Sequence, residues 1–164
     1  MKKHIKGFTL IEILIVILII SIISSVALLT ISSNHTKQLE NIANMIKRKI
    51  ILAEQEAMLR PSTIGLGLNK ENYKFFNLSD NTDKPWKKII SHGLNSNKFP
   101  SYATLNLKIN NRETSLDGKP HIIISTSGEI TPFTITFAKE NNRPSYIITG
   151  KSNGSITVQA LTEK

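Results

Sequence analysis

The sequence is poor in several residue types, and each shortage excludes something. There is no cysteine among the 164 residues, so disulfide bonds and thiolate metal sites are excluded. Aromatic residues make up only 6% of the chain. Between Lys6 and Lys37 the single formal charge is Glu12, whereas charged residues occur throughout the rest. The chain therefore consists of an apolar N-terminal segment joined to a polar remainder with room for one domain.

The sequence also lacks the motifs of an enzyme. Its four histidines (His4, His35, His92 and His121) do not have metal-ligand spacing, and there is neither a nucleophile elbow nor a glycine-rich phosphate loop. Asp80, Asn81 and Asp83 resemble the start of a calcium loop, but the glycine and final glutamate of an EF-hand are missing. We expect no enzymatic activity, no cofactor and no metal.

The net charge of +9 includes Lys2, Lys3 and Lys6 at the amino end. The other basic residues are scattered, with short clusters at residues 47–49 and 87–88 and no aromatic residues between them. A nucleic-acid site would need a concentrated basic surface. The pattern favours ordinary solvated lysines and argues against nucleic acid as a partner.

Residues 13–31 contain no charge and are rich in isoleucine, leucine and valine. A helix of this length spans about 28 Å, close to the thickness of a bilayer's hydrocarbon core. Serine and threonine are tolerated there because their hydroxyls bond to helix carbonyls. Residues 8–33 are therefore predicted to cross a membrane. The leading lysines place the amino end in the cytoplasm.

A second helical pattern follows without a helix breaker. Apolar residues recur at steps of three and four, as expected for one buried helix face: Leu39, Ile42, Ile46, Ile50, Ala53 and Ala57. Pro61 ends the pattern. We predict one continuous helix over residues 8–60, apolar all round at first and amphipathic over residues 34–60.

Short β-patterns occupy residues 61–164. They are separated by turn signals such as Asn110-Asn111, Asp117-Gly118, Ser127-Gly128 and Asn153-Gly154, and the last of these predicts a hairpin. The predicted strands are 64–68, 73–78, 104–109, 121–125, 133–138, 146–149 and 156–160. Residues 79–100 are predicted to be a long loop anchored by Trp86, with one short strand over 86–90. The expected fold class is α+β, a long N-terminal helix packed on an antiparallel β-sheet domain.

The start of the chain, Lys6-Gly7-Phe8-Thr9-Leu10-Ile11-Glu12, resembles the type IV prepilin signal. An ordinary secretory signal is cut after its apolar region, whereas this signal is cut before it. The resemblance implies a leader over residues 1–7, cleavage between Gly7 and Phe8 by a prepilin peptidase, and N-methylation of Phe8 by the same enzyme. An unpaired carboxylate in a membrane helix costs about 2 to 3 kcal/mol. The resemblance implies that Glu12 instead pairs with the terminal ammonium of a neighbouring subunit, which sets the assembly register.

A longer resemblance, to the GspH/FimT family, runs through the rest of the chain. The segments that carry it are residues 53–59, 64–66, 73–76 and 127–135, with Gly150 and Gly154 before the last strand. It implies a minor pseudopilin of type II secretion, at the tip of a pseudopilus that drives export of folded proteins. The implied location is the bacterial inner membrane, with the globular domain in the periplasm. The implied partners are other pseudopilins, the peptidase, the inner-membrane assembly platform, membrane lipid and secreted proteins.

The alternative within this family is a FimT-like minor pilin that assists pilus assembly or binds DNA during uptake. Such a protein would be expected to carry basic residues on a loop or on its carboxyl-terminal tail. The tail here, Leu161-Thr162-Glu163-Lys164, is neutral overall. The sequence therefore favours secretion.

Overall fold

The computed structural model describes residues 9–91, 93–139 and 144–161, without the side chains of 25–34 and 36. Its contacts divide the chain into two units, Met1–Thr36 and Lys37–Lys164. We call the second of these the globular unit, and each is described by itself.

One helix, α1 (Leu10–Leu59, 50 residues), accounts for almost all of the predicted helix. It ends just before Pro61, where Arg60 N donates to Glu56 O at 2.9 Å and Ser62 N donates to Ala57 O at 3.3 Å. The prediction of a continuous helix is confirmed over the described residues, whereas its predicted first residue, Phe8, lies outside them.

The strands form two antiparallel sheets. The strands of the first sheet are β1 (Ile64–Asn69), β2 (Asn72–Leu78), β3 (Trp86–Lys88), β4 (Asn97–Lys98) and β7 (Asp117–Ile124). Those of the second are β5 (Ala103–Ile109), β6 (Arg112–Thr114), β8 (Phe133–Lys139), β9 (Pro144–Gly150) and β10 (Ile156–Ala160). The first sheet has the order β3-β2-β1-β7, with β4 also paired to β2, and the second has the order β10-β9-β8-β5-β6.

Within the globular unit, α1 buries one face in a core that it shares with both sheets. The helix residues with 0% exposure are Leu39, Ala43, Ile46, Ile50, Ala53 and Ala57. The predicted stripe is therefore confirmed except at Ile42, which is only partly buried and packs at the margin of the core. Ala43, which is 0% exposed, lies on the buried face instead.

Two turn predictions had different outcomes. The Asn153-Gly154 hairpin is confirmed: β9 and β10 pair on either side of it, with Gly154 at φ 80°. The prediction of a turn at Asp117-Gly118 is wrong, because both residues belong to β7. Gly118 has φ 79°, and the β1–β7 register shifts twice nearby. A glycine conformation typical of turns is here part of an irregular strand.

The predicted loop over residues 79–100 contains more structure than expected. The short strand at Trp86 is confirmed as β3, but the two-residue strand β4 was not predicted. Leu94 and Phe99 are 2% and 8% exposed, so Trp86 is not the only anchor. Lys49 on α1 also holds this segment, donating to the backbone O and to Oδ1 of Asn95 at 2.8 and 2.6 Å.

Candidate assembly site at the start of the helix

The first turn of α1 is capped by Thr9. Its Oγ1 accepts a hydrogen bond from Glu12 N at 3.3 Å, and its carbonyl O lies 3.1 Å from the same nitrogen. Thr9 and Glu12 stand in the T-x-x-E spacing of a capping box, and the bond formed is the one in which the threonine hydroxyl accepts from a backbone N–H that has no partner within the helix. Thr9 is therefore a site residue that its T-x-x-E spacing in the sequence could have identified.

Glu12 is an exposed residue in this first turn. A carboxylate here interacts favourably with the positive end of the helix dipole, by about 0.3 to 1 kcal/mol. The bond to Thr9 uses the backbone of Glu12, so the capping contact leaves the carboxylate available to another group. The other two predicted site residues, Gly7 and Phe8, lie outside the described residues.

Large apolar side chains surround the helix after Glu12. Leu14, Ile17, Ile20 and Ile23 are between 55% and 63% exposed, and their apolar neighbours are similarly open. Continuous exposed apolar surface of this kind marks a segment that contacts a membrane or another protein. Ser21 Oγ donates to Ile17 O at 2.8 Å, as predicted for hydroxyls in such a helix.

The predicted membrane span, residues 8–33, lies only partly among the described side chains. Within what the structure describes, no helix reaches the length and hydropathy needed to cross a membrane.

A histidine–carboxylate pair lies on β7, among the described residues of the globular unit. His121 Nε2 lies 2.8 Å from Asp117 Oδ1, and Lys119 Nζ lies 3.5 Å from Asp117 Oδ2. The pKa of Asp117 is lowered, first by a hydrogen bond from the Lys119 backbone and then by His121. Among the described residues, no group of three or more histidine, aspartate and glutamate side chains is arranged to hold a metal. We interpret the pair as a surface contact that supports an irregular strand.

The loop over residues 80–83, which resembles the start of a calcium loop in sequence, is held by hydrogen bonds to one of its own side chains. Asn81 Oδ1 accepts hydrogen bonds from the backbone N of Asp83 at 3.0 Å and of Lys84 at 3.3 Å. This is the side-chain-to-backbone turn that asparagine commonly forms.

Comparisons with known proteins find matches both to the N-terminal segment and to most of the chain. Residues 2–28 match the family described as the prokaryotic N-terminal methylation motif. The chain is 26% identical to type II secretion system protein H of Pseudomonas aeruginosa, over 82% of this chain and 83% of the relative. It is 20% identical to type II secretion system protein H of Vibrio cholerae, over 96% of each.

Solved structures share the fold. The minor pseudopilin EpsH from the type 2 secretion system of Vibrio cholerae superposes with a TM-score of 0.65 at 20% identity, covering 76% of this chain and 97% of that one. The solution structure of Escherichia coli GspH gives a TM-score of 0.62 at 14% identity, covering 76% and 89%. The predicted fold class, a long helix packed on antiparallel sheet, is confirmed.

Proposed function

We propose that this chain, a minor pseudopilin of the GspH type in type II secretion, is a subunit near the tip of a pseudopilus that exports folded proteins. Two similarities carry the proposal: a methylation motif over residues 2–28, and matches to type II secretion system protein H of two bacteria over 82% and 96% of this chain. One solved structure of this fold is named a minor pseudopilin, and we assign this chain a structural role rather than a catalytic one.

We further propose that residues 1–7 are a leader and that a prepilin peptidase cleaves between Gly7 and Phe8. A residue without a side chain lets the backbone approach a protease closely. Cleavage would leave Phe8 as a new amino terminus, which the peptidase would then methylate. The cap described above begins at Thr9, so the helix start would remain intact after processing.

The proposed topology follows the charge pattern. Residues 8–33 would lie in the inner membrane, with the amino end in the cytoplasm and residues 34–164 on the periplasmic side. In the monomer the exposed side chains around Leu14 and Ile17 have no cover within the described residues. Lipid before assembly, and neighbouring helices after it, would supply that cover.

We assign Glu12 to assembly. Its carboxylate is exposed in the first turn, five positions after the proposed cleavage site, and would pair with the Phe8 ammonium of the adjacent subunit. Such pairing offsets the cost of keeping a carboxylate at the membrane. The other implied partners are the remaining pseudopilins and the inner-membrane assembly platform.

Intact-mass analysis of protein extracted from membranes tests the processing step. We expect loss of Met1 to Gly7 and the addition of one methyl group. Gly7→Leu should prevent both changes, because a bulky side chain blocks the close approach to the protease. A full-length, unmethylated mature chain would contradict the proposal.

A further inference from the structure

The sequence contains a single Asn-Gly pair, Asn153-Gly154, at the tip of the β9–β10 hairpin. An asparagine side chain can deamidate without an enzyme when the backbone nitrogen of the next residue attacks its amide carbon. Glycine permits this attack best, because it has no Cβ to hinder the approach and its backbone rotates freely. Asn153 is therefore the asparagine at which the sequence most favours the reaction.

The turn that holds Asn153 is open to water. Lys151, Ser152, Asn153 and Ser155 are all exposed. Gly154 N donates to Lys151 O at 3.1 Å, and this bond must break before the nitrogen can face the Asn153 side chain. Exposed turns open locally at a lower free energy than the whole domain unfolds. Local opening of the hairpin tip is therefore sufficient to free the attacking nitrogen.

The side-chain carbonyl of Asn153 already accepts a hydrogen bond. Ser155 N donates to Asn153 Oδ1 at 3.2 Å. A donor on a carbonyl oxygen stabilises the negative charge that develops on that oxygen when a nucleophile adds to the carbon, as in an oxyanion hole. The turn thus provides the group that assists attack on Asn153 as well as the nitrogen that attacks.

We propose that Asn153 is a modification site at which the chain deamidates itself, with water as the only co-reactant. Gly154 N loses its proton to solvent and bonds to Asn153 Cγ. The Cγ–Nδ2 bond breaks, and the nitrogen takes a proton and leaves as ammonia, which closes a five-membered succinimide ring. Water then opens the ring at either carbonyl, giving aspartate or isoaspartate. This proposal goes beyond the proposed function and does not depend on it.

Isoaspartate does not fit this turn, because Gly154 lies against α1. A Cβ built on Gly154 would lie 3.3 Å from Glu54 Cδ and 3.4 Å from Gly128 O, and it would be closer still to Glu54 Oε1. In isoaspartate the main chain runs through Cβ and Cγ, so one carbon is added directly before this glycine. The turn has to move away from Glu54 to accommodate the added carbon.

The same change breaks the bonds that hold the turn together. Lys151 N donates to Ser155 O at 2.9 Å, and Ile130 N donates to Ser152 O at 3.2 Å. A longer main chain between Lys151 and Ser155 is incompatible with the first bond, and movement of the turn removes the second. Formation of isoaspartate therefore converts a packed turn into an open one.

Peptide mass spectrometry of the purified full-length chain, kept folded in detergent for days, tests the site. We expect the mass of residue 153 to shift from that of asparagine to that of aspartate, with the isoaspartate form separated by chromatography. The shift should be faster at mildly alkaline than at neutral pH, because the attacking nitrogen must lose its proton. Asn111 is the control within the chain, since it is exposed and lies in a turn but is followed by Arg112. An added barrier of about 1.4 kcal/mol from that side chain slows the reaction about tenfold, and we expect at least this difference.

Two substitutions at the same position separate the reaction from its consequence. Asn153→Gln keeps an amide, but its longer side chain would have to close a six-membered ring, so this variant should stay unmodified over the same period. Asn153→Asp supplies the aspartate product without the added main-chain carbon. Amide hydrogen exchange over residues 151–155 should become faster as the wild type ages, and it should stay slow in aged Asn153→Gln and in fresh Asn153→Asp.

The urea-unfolded chain is the reference for the effect of the fold. An Asn153 that reacts in urea but stays intact in the folded chain would overturn the proposal, because the turn would then protect the side chain. Equal rates at Asn153 and Asn111 would overturn it as well. Isoaspartate that forms without faster exchange over residues 151–155, or equally fast exchange in aged Asn153→Gln, would refute the opening of the turn.

Discussion

Replacing Gly150 with alanine is expected to destabilise the globular unit, although alanine is normally the better residue in a strand. Gly150 lies opposite Phe133 in the β8–β9 pair. A Cβ built on Gly150 would lie 2.6 Å from Phe133 Cδ1 and 2.7 Å from Cζ, and it would be closer still to Cε1. Phe133 is 2% exposed, so its ring has little room to move away.

The expected magnitude follows from two opposing effects. Overpacking a core costs about 1 to 3 kcal/mol. Removing a strand glycine gains about 0.5 to 1 kcal/mol because the unfolded chain becomes less flexible. We therefore expect Gly150→Ala to lower the free energy of unfolding by about 1 to 2 kcal/mol, measured by urea denaturation of the purified chain followed by circular dichroism.

Phe133→Leu provides the matched test, because it removes the ring that the new methyl group would strike. In a double-mutant cycle, Gly150→Ala should cost less in the Phe133→Leu background than in the wild type. Equal costs in both backgrounds, or a Gly150→Ala chain as stable as wild type, would refute the reasoning that the ring occupies the space above the glycine.

Two further predictions concern the core and its response to pH. Ile46→Asp should lower the free energy of unfolding by several kcal/mol, because Ile46 is 0% exposed, whereas Asn41→Asp on the exposed side of α1 should change it little in the same urea assay. Burial raises the pKa of Tyr73 to about 12, so the folded state favours the neutral phenol. The stability that this preference contributes is present below pH 10 and is lost as pH rises from about 10 to 12. Tyr73→Phe should reduce this loss of unfolding free energy at alkaline pH. The loss due to Tyr102 and Tyr146, whose pKa values burial also raises, should remain. The same loss in Tyr73→Phe as in the wild type would contradict the assignment to Tyr73.

Periodicity in the sequence was sufficient to predict most elements of the fold. Alternation located β5, β8 and β10 to within one residue at each end, because each has one buried and one open face. The spacing of Leu39, Ile46, Ile50 and Ala53 similarly identified the buried face of α1. These signals are local, so a single segment is enough to reveal them.

What the sequence did not reveal depends on distant contacts. β4 has two residues and exists because Asn72 and Tyr73 lie opposite it. The division into two sheets depends on β7 pairing with β1 rather than with its sequence neighbours. Gly65 also depends on distant residues. A Cβ there would lie 2.5 Å from Pro120 Cβ and 2.9 Å from Trp86 Cζ3, so the absence of a side chain makes room for side chains from β7 and β3. Nothing in its immediate sequence indicates that requirement.

The candidate site residues were selected from a sequence motif, which does not describe their contacts. Glu12 was selected from a motif, but its backbone contact with Thr9 emerged only from the structure. Gly7 and Phe8 remain predictions.

Glu12→Gln, which removes the charge and keeps the side-chain volume, tests assembly most directly. The backbone bond from Glu12 to Thr9 does not involve the carboxylate, so helix capping, membrane insertion and leader cleavage should persist. Glu113→Gln, an exposed acid on β6, is the matched control. The measurement is copurification of the detergent-solubilised chain with other pseudopilins, together with export of secreted proteins by cells that carry the variant.

We expect Glu12→Gln to be cleaved and methylated normally, yet to copurify poorly and to reduce export, while Glu113→Gln behaves as wild type. A subunit at the extreme tip has only one of the two possible ammonium–carboxylate pairings, so a partial defect is consistent with the proposal. Undiminished copurification together with normal export would contradict it and would show Glu12 to be an acid that serves only the first turn of the helix.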